Sequence, residues 1–115
     1  MNNIPIKNAV IKGTMLGIED HGIMTCFLNL DYGGSGQSFG GYSLDGFNEP
    51  EDKRVGTAWG MEFIRRVLEV LDVDSWEKIK GTHCRVKADH GKVYRIGHII
   101  KDQWFDPKQD LEHLK

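Results

Sequence analysis

The sequence predicts an α+β fold in which an antiparallel sheet, or a small barrel, is covered by one main helix. Two observations carry this prediction. The tripeptide Asp-His-Gly occurs twice, at 20–22 and 89–91, each time between two strand-like runs. The clearest helical pattern lies between these two hairpins. The predicted order is strand, strand, strand, helix, short helix, strand, strand, and consecutive hairpins with a helix on one face are typical of α+β domains.

The first hairpin is defined by a three-residue loop at 20–22, in which Gly22 supplies the left-handed conformation that such a loop needs. This loop pairs Glu19 with Ile23. A one-residue slip would exchange the faces of every side chain, so polarity tests the register. The pairing places two mostly apolar rows on one face: Val10, Thr14, Leu16 and Ile18 with Met24, Cys26, Leu28 and Leu30.

The second hairpin follows the same rule, and a three-residue loop at 89–91 pairs Ala88 with Lys92. A two-residue loop would mix Arg85 and Lys87 with apolar partners, so we favour the longer loop. The resulting apolar face contains Thr82, Cys84, Val86 and Ala88 with Tyr94, Ile96, His98 and Ile100.

Between the hairpins, residues 37–44 predict a third strand with two internal glycines, which mark a bulge, a bend or a close approach by a ligand. We expect this strand to be a weak edge that a second copy covers, giving a homo-oligomer. The alternative is closure within one chain, with Trp104 and Phe105 as the cover. The polar segment 45–55 predicts a flexible exposed loop.

The helix is predicted to begin after Thr57 as N-cap. Its apolar side chains fall at helical spacing: Met61, Ile64, Val67, Leu68 and Leu71. Residues 74–77 resemble a capping box that opens a short second helix, which Gly81 ends. Asp106 and Pro107 predict the start of a C-terminal helix in a frayed tail, 107–115. We assign the tryptophans Trp59, Trp76 and Trp104 to the core.

This element order is that of the five-strand OB barrel, so the fold class is α+β with an OB-like barrel as one form of the sheet. The 115 residues predict a single domain, 1–115. With 15 Lys and Arg against 17 Asp and Glu, the net charge of −2 excludes a generally basic nucleic-acid binder but allows a local basic face. No leader is visible in the first five residues, and two distant cysteines favour a reducing cytoplasm.

The glycine-rich segment 31–42 is the strongest chemical signal. Its glycines leave backbone N–H groups uncovered, and its aromatic rings offer stacking surfaces, a combination that suits a phosphate or a base. The alternative is a wide hairpin loop and a bent strand without a ligand. The candidate binding residues here are Tyr32, Ser35, Gln37, Phe39 and Tyr42.

A local basic face is the second signal. The second hairpin places His83, Arg85, Lys87 and Arg95 opposite its apolar face, and arginine binds phosphate through a bidentate fork. A solvated sheet face is the alternative. Metal-ligand spacings and nucleophile motifs are missing from the sequence, so we expect no metal, no cofactor, no catalytic residues and no enzyme activity.

The chain resembles small uncharacterised proteins of tailed phages and prophages over nearly its whole length. It also has a looser similarity to phage single-strand-binding proteins of the OB type. The first resemblance rests on GGSGQSFGGYSLD (33–45), VGTAWGMEFIRR (55–66), VDSWEKIKG (73–81) and IGHIIKDQWF (96–105).

The phage resemblance implies a non-enzymatic accessory protein in the cytoplasm of an infected or lysogenic bacterium. Together with the candidate residues, it favours a counter-defence protein that binds or sequesters a phosphorylated nucleotide. One alternative is a single-stranded nucleic-acid-binding protein of phage replication or recombination. Another is an inhibitor that covers a host defence enzyme through the acidic loop 49–52.

Overall fold

The computed structural model describes residues 4–115 and confirms the α+β class. The expectation of no leader falls partly on residues 1–3, which lie outside the described residues. The strands are β1 (Ile6–Ile18), β2 (Met24–Asp31), β3 (Gly36–Ser43), β4 (Asp45–Asn48), β5 (Lys53–Gly56), β6 (His83–Ala88), β7 (Val93–His98) and β8 (Trp104–Phe105). The helices are α1 (Ala58–Leu71), α2 (Pro107–Asp110) and two 3₁₀ turns, Trp76–Lys78 and Glu112–Leu114. None of the helices in residues 4–115 has the length and apolarity needed to cross a membrane.

Six strands form one antiparallel sheet in the order β3-β2-β1-β6-β7-β8. The first five of these follow the OB-like order, in which the long β1 pairs with β6 through its first half and with β2 through its second half. Among the described residues β3 and β7 form no ladder, so the barrel is not closed by backbone pairing. Instead the Gln37 side chain on β3 donates to the carbonyl of Asp89, at 2.8 Å, across the gap.

Strand β3 is therefore an edge strand of the sheet, as predicted. Trp104 and Phe105 do not cover it, because they form β8 and pair with β7 at the opposite edge. The homo-oligomer stays a prediction.

The first hairpin has the predicted loop, since Glu19 N–H donates to Ile23 O at 3.0 Å. The predicted pairs Thr14–Leu28, Leu16–Cys26 and Ile18–Met24 are confirmed. The prediction for Val10 is wrong, because the register shifts between Ile11 and Gly13. This bulge turns Ile11, which is fully buried, onto the core face and leaves Lys12 exposed.

The second hairpin has neither the predicted register nor the whole predicted apolar face, since Tyr94 and His98 are half-buried and Ile100 is 83% exposed. Cys84 pairs with His98 and Val86 pairs with Ile96, a shift of two residues that keeps each side chain on its face. The predicted three-residue loop is wrong, because Asp89 N–H donates to Lys92 O at 3.0 Å and leaves a two-residue loop at 90–91. A register irregularity between Lys87 and Ala88 then pairs Ala88 with the buried Val93, which takes the core position predicted for Tyr94.

The segment 45–55 was predicted to be a flexible loop, but it forms the hairpin β4–β5. An ion pair joins its two strands, with Arg54 Nη2 at 2.8 Å from Asp45 Oδ1. The Arg54 guanidinium, with smaller contributions from the backbone N–H of Met24 and the Ser43 hydroxyl, lowers the pKa of the Asp45 carboxyl. Polar residues thus form a ribbon here because they bond to one another and need no apolar face.

Helix α1 begins as predicted. The Thr57 hydroxyl accepts from Gly60 N–H at 3.0 Å and donates to Leu44 O at 3.0 Å, tying the helix to the end of β3. The buried face was predicted only in part, because Met61 is 64% exposed and Phe63 is 1% exposed. The full buried set is Gly60, Phe63, Val67, Val70 and Leu71.

Replacing Thr57 by alanine removes both hydroxyl hydrogen bonds of this cap. We expect Thr57→Ala to lower the free energy of unfolding by about 1–2 kcal/mol, the usual cost of losing a helix N-cap. Urea denaturation followed by circular dichroism measures this loss. Thr57→Ser keeps the hydroxyl and should stay near the wild-type value, whereas an equal loss in both variants would contradict a capping role.

The predicted capping box at 74–77 is wrong. Ser75 stands at the N-cap of the 3₁₀ turn and makes no side-chain cap bond, while the Asp74 carboxylate lies 2.7 Å from Lys78 Nζ. The C-terminal cap is confirmed, because the Asp106 side chain accepts from Gln109 N–H. The tail after it is packed rather than frayed, since Leu111 is 1% exposed.

An aromatic cluster forms the centre of the core between the sheet and α1. Phe63 is its middle, with ring centroids 5.8 Å from Phe39 and 5.4 Å from Phe105. Tyr42 and Trp59 extend the cluster at 5.5 and 5.6 Å from Phe63. Residues from β3, α1 and β8 therefore meet in one contact network, which fixes β8 and the residues beside it.

Candidate nucleic-acid interface

The predicted basic face exists on the outer side of β1, β6 and β7. Cys84 and Val86 are fully buried on the inner side, so Arg85 and Lys87 alternate onto the outer side. Lys87 pairs with Arg95 on the neighbouring strand β7. On the other side of β6, Lys87 pairs with Ile6 and Arg85 pairs with Asn8 of β1. The register thus gathers the three predicted cations on one surface.

Trp104 lies on this same surface, although the sequence analysis assigned it to the core. A Cβ atom on Gly97, the strand partner of both Arg85 and Trp104, would lie 2.6 Å from the indole ring. The half-buried ring therefore rests on the bare backbone of Gly97. The Arg85 guanidinium carbon and the Lys87 ammonium nitrogen lie 4.8 and 4.9 Å from its centre. We call these four residues the Trp104 platform.

Two of the three predicted cations also hold the fold together. Arg85 donates from Nε to His98 O and from Nη2 to Lys101 O, both at 2.8 Å. Arg95 donates from Nε to the Asp106 carboxylate at 2.8 Å, which compensates its charge. Within residues 4–115, Lys87 has no carboxylate within ion-pair distance. Lys87 is therefore the best placed of the three to meet a phosphate.

A groove runs along the first half of β1, where Asn8 is the strand partner of Arg85 of the Trp104 platform. Two open cavities of about 280 and 510 Å³ share the residues Asn8 and Tyr32. The larger one is also lined by Lys7 and Ser35, and the smaller one reaches His83. The structure thus brings Tyr32 and Ser35 beside the basic face. Lys7 and Asn8 are not among the predicted residues, because nothing in their local sequence pattern separates them from an ordinary strand.

Tyr32 has a defined environment in this groove. The Lys7 ammonium lies 4.8 Å from its ring centre, and its hydroxyl donates to Gln37 Oε1 at 2.7 Å. Burial raises the pKa of the Tyr32 phenol, which keeps it a donor. Gln37 uses both ends of its amide on Tyr32 and on Asp89 O. Gln37 therefore joins β3 to the second hairpin and positions Tyr32.

The turn that Gln37 holds is itself tied by Asp89. Its carboxylate accepts from the Tyr94 hydroxyl at 2.8 Å and from the backbone N–H groups of Gly91 and Lys92. These bonds, led by the one from Tyr94, lower the pKa of the Asp89 carboxyl, and the same bond raises the pKa of Tyr94. These bonds hold the turn in a defined conformation beside the gap between β3 and β7.

The other two candidates of the glycine-rich segment lie elsewhere. Phe39 is 1% exposed and stacks on Phe63, so its assignment as a ligand contact is corrected: the ring has no surface to offer. Tyr42 is half-buried against Trp59 and lines a different cavity, of about 440 Å³. Phe39 faces the core through regular pairing with the buried Leu28, and the bulge at Gly40 and Gly41 brings Tyr42 to the same side, where both rings contact Phe63.

The two thiols face inward. Cys26 and Cys84 are 1% and 0% exposed, and burial raises the pKa of each to about 12. Neither is therefore a thiolate at neutral pH. Across residues 4–115, no three His, Cys, Asp or Glu side chains are grouped as metal ligands would be.

Comparison with family models, curated proteins and solved structures finds no match to this chain. The candidate interface therefore rests on its own geometry.

Proposed function

We propose that the protein binds single-stranded nucleic acid along the Trp104 platform and the adjoining β1 groove. The observation that carries this proposal is the indole of Trp104, held flat on Gly97 with two cationic heads within 5 Å of its centre. Proteins that bind single strands combine aromatic rings, on which bases stack, with cations that follow the phosphate backbone. Lys87 and the free edge of the Arg85 guanidinium supply that charge.

The open shape of the groove favours a strand over an enclosed small molecule. Ligand pockets usually bury about 70–90% of a small ligand. Both β1 cavities are open to solvent and share the lining residues Asn8 and Tyr32. The OB-like strand order is also one on which oligonucleotide binding is common, though here the proposed surface lies on β1, β6 and β7.

A phosphorylated nucleotide, bound as part of a counter-defence role in a phage-type protein, is the second candidate. The Lys7, Tyr32 and Ser35 side of the groove supports it, because a cation, a ring and a hydroxyl line one cavity of about 510 Å³. A thermal-shift screen with cyclic and ADP-ribose-type nucleotides separates the two candidates. Stabilisation by a mononucleotide, with no binding of an oligonucleotide, would favour this second function.

Removal of the indole tests the first proposal. We expect Trp104→Ala to weaken binding of a fluorescein-labelled oligo-dT by about 5- to 150-fold, since stacking contributes about 1–3 kcal/mol per base. We expect Lys87→Ala to reduce the slope of log affinity against log salt by about one phosphate contact. Fluorescence anisotropy at several salt concentrations measures both effects.

Lys53→Ala is the matched control, because Lys53 is an exposed lysine on the separate β4–β5 hairpin. It should leave affinity and salt slope unchanged. The proposal fails if wild-type protein binds no oligonucleotide at low salt, or if Trp104→Ala binds as tightly as the wild type. The net charge of −2 predicts weak to moderate affinity with a clear salt dependence.

A further inference from the structure

His98 at the end of β7 makes an unusual contact with the backbone that follows it. Its ring Nδ1 lies 3.0 Å from the N–H of Ile100 and 3.0 Å from the N–H of Lys101. Both partners are donors, so Nδ1 must be the unprotonated acceptor. The proton of the neutral ring is then on Nε2, and a doubly protonated ring cannot make these bonds.

The residues that His98 holds form the connection between β7 and β8. Few other contacts order this connection: Ile100 is 83% exposed, and Lys101, Asp102 and Gln103 are exposed as well. Its backbone–backbone bonds are Gln103 N–H to Lys101 O, at 2.8 Å, and His98 N–H to Gln103 O, at 3.0 Å, and the side chains of Arg85 and Asp72 also contact it at Lys101.

The same connection holds one cation of the Trp104 platform. Arg85 bonds to the carbonyls of His98 and Lys101, and Trp104 begins β8 directly after the connection. The position of the Arg85 guanidinium, 4.8 Å from the indole centre, therefore depends on the conformation that His98 stabilises.

We propose that protonation of His98 opens the 99–103 connection, releases Arg85 from Trp104 and so weakens ligand binding in acid. The inference names a regulation of the proposed site and rests on that proposed function. Charge acts in the same direction as geometry. An imidazolium here would stand near the cationic Arg85 of β6 and Lys101 of the connection.

The neighbouring groups on the other packed elements do not offset the repulsion between a protonated His98 and the cations Arg85 and Lys101. The strand partner of His98 on β6 is Cys84, a buried thiol that stays neutral because burial raises its pKa to about 12. Asp72, directly after α1, lies 3.8 Å from Lys101 Nζ, and Glu69 of α1 lines a cavity with Asp102 and Gln103 of the connection. Asp102, in the connection itself, is exposed.

The variant His98→Asn separates acceptor geometry from titration. The amide oxygen of asparagine occupies the place of histidine Nδ1 and accepts the same N–H groups, but it carries no titratable proton. His98→Ala removes the acceptor at every pH. Amide hydrogen exchange of residues 100 and 101, corrected for intrinsic rates, reports the connection in the absence of any ligand.

In the wild type we expect these two amides to exchange about three- to tenfold faster near pH 5.5 than near pH 7.5, the range in which histidine changes charge. Oligo-dT affinity should fall over the same range. In His98→Asn the exchange rates of the two amides and the oligo-dT affinity should each change by less than about twofold between the two pH values. In His98→Ala the two amides should exchange fast at both pH values.

A second histidine, His83, lines the groove, so the comparison of wild type with His98→Asn isolates the effect of His98. Equal protection of the wild type at both pH values, or equal acid opening of wild type and His98→Asn, would overturn the inference. Acid opening without oligonucleotide binding at any pH would instead overturn the proposed function and leave the switch of the connection standing.

Discussion

Gly60→Ala is expected to lower the free energy of unfolding by about 4 kcal/mol or more, a loss that few single substitutions cause. In an exposed helix interior the same change would stabilise by about 1 kcal/mol, because alanine is the better helix former. Here a Cβ atom would lie 1.9 Å from the carbonyl oxygen of Leu44 and 2.7 Å from its Cα. Both contacts are to backbone, so no side-chain rotation relieves them.

Urea denaturation of Gly60→Ala, followed by circular dichroism, measures this loss. The matched control is Gly56→Ala, because a Cβ atom there meets nothing within 4 Å. It should change the free energy of unfolding by less than about 1 kcal/mol. A stable Gly60→Ala protein would show that α1 does not lie against the end of β3 at this distance.

Phe63→Ala has the second largest expected effect. The ring is 1% exposed and contacts the rings of Phe39, Phe105, Tyr42 and Trp59. Its removal leaves a cavity where α1 meets the sheet, and we expect a loss of about 3–5 kcal/mol. Because β8 packs on the same cluster through Phe105, we also expect the fluorescence of Trp104 to change in the folded variant.

Met61→Ala is the control for Phe63→Ala on the same helix. Met61 is 64% exposed, so its truncation should change the free energy of unfolding by about 0.5 kcal/mol or less. The apolar spacing of the sequence suggested the opposite ranking, with Met61 on the core face. A larger loss for Met61→Ala than for Phe63→Ala would return α1 to that predicted orientation.

The sequence by itself determined the class of the fold and most of its local geometry. The first hairpin loop and the caps at Thr57 and Asp106 are as predicted, and so are the buried positions of Cys84, Val86 and Ile96 on the second hairpin. Each of these depends on residues within a few positions of one another, through turn conformation, cap hydrogen bonds or strand alternation. Local signals of this kind are complete within a short stretch of sequence.

Only the tertiary structure decided where the core face changes along a strand. The bulge at Lys12 places Ile11, instead of Val10, on the core face of β1, because burial of Ile11 outweighs the loss of regular strand pairing with β2. The β4–β5 hairpin, predicted as a loop, depends on the pairing of Arg54 with Asp45 and on no apolar pattern. Neither competition is visible in a window of neighbouring residues.

The candidate site shows the same division. Strand alternation alone places Arg85 and Lys87 on one face. Arg95 shares that face because the register irregularity between Lys87 and Ala88 compensates for the shorter loop. The sequence could not show that Phe39 lies in the core or that Trp104 lies outside it. Phe39 lies in the core because it pairs with the buried Leu28 and stacks on Phe63 of α1, and Trp104 lies outside because its ring occupies the space that Gly97 leaves on β7.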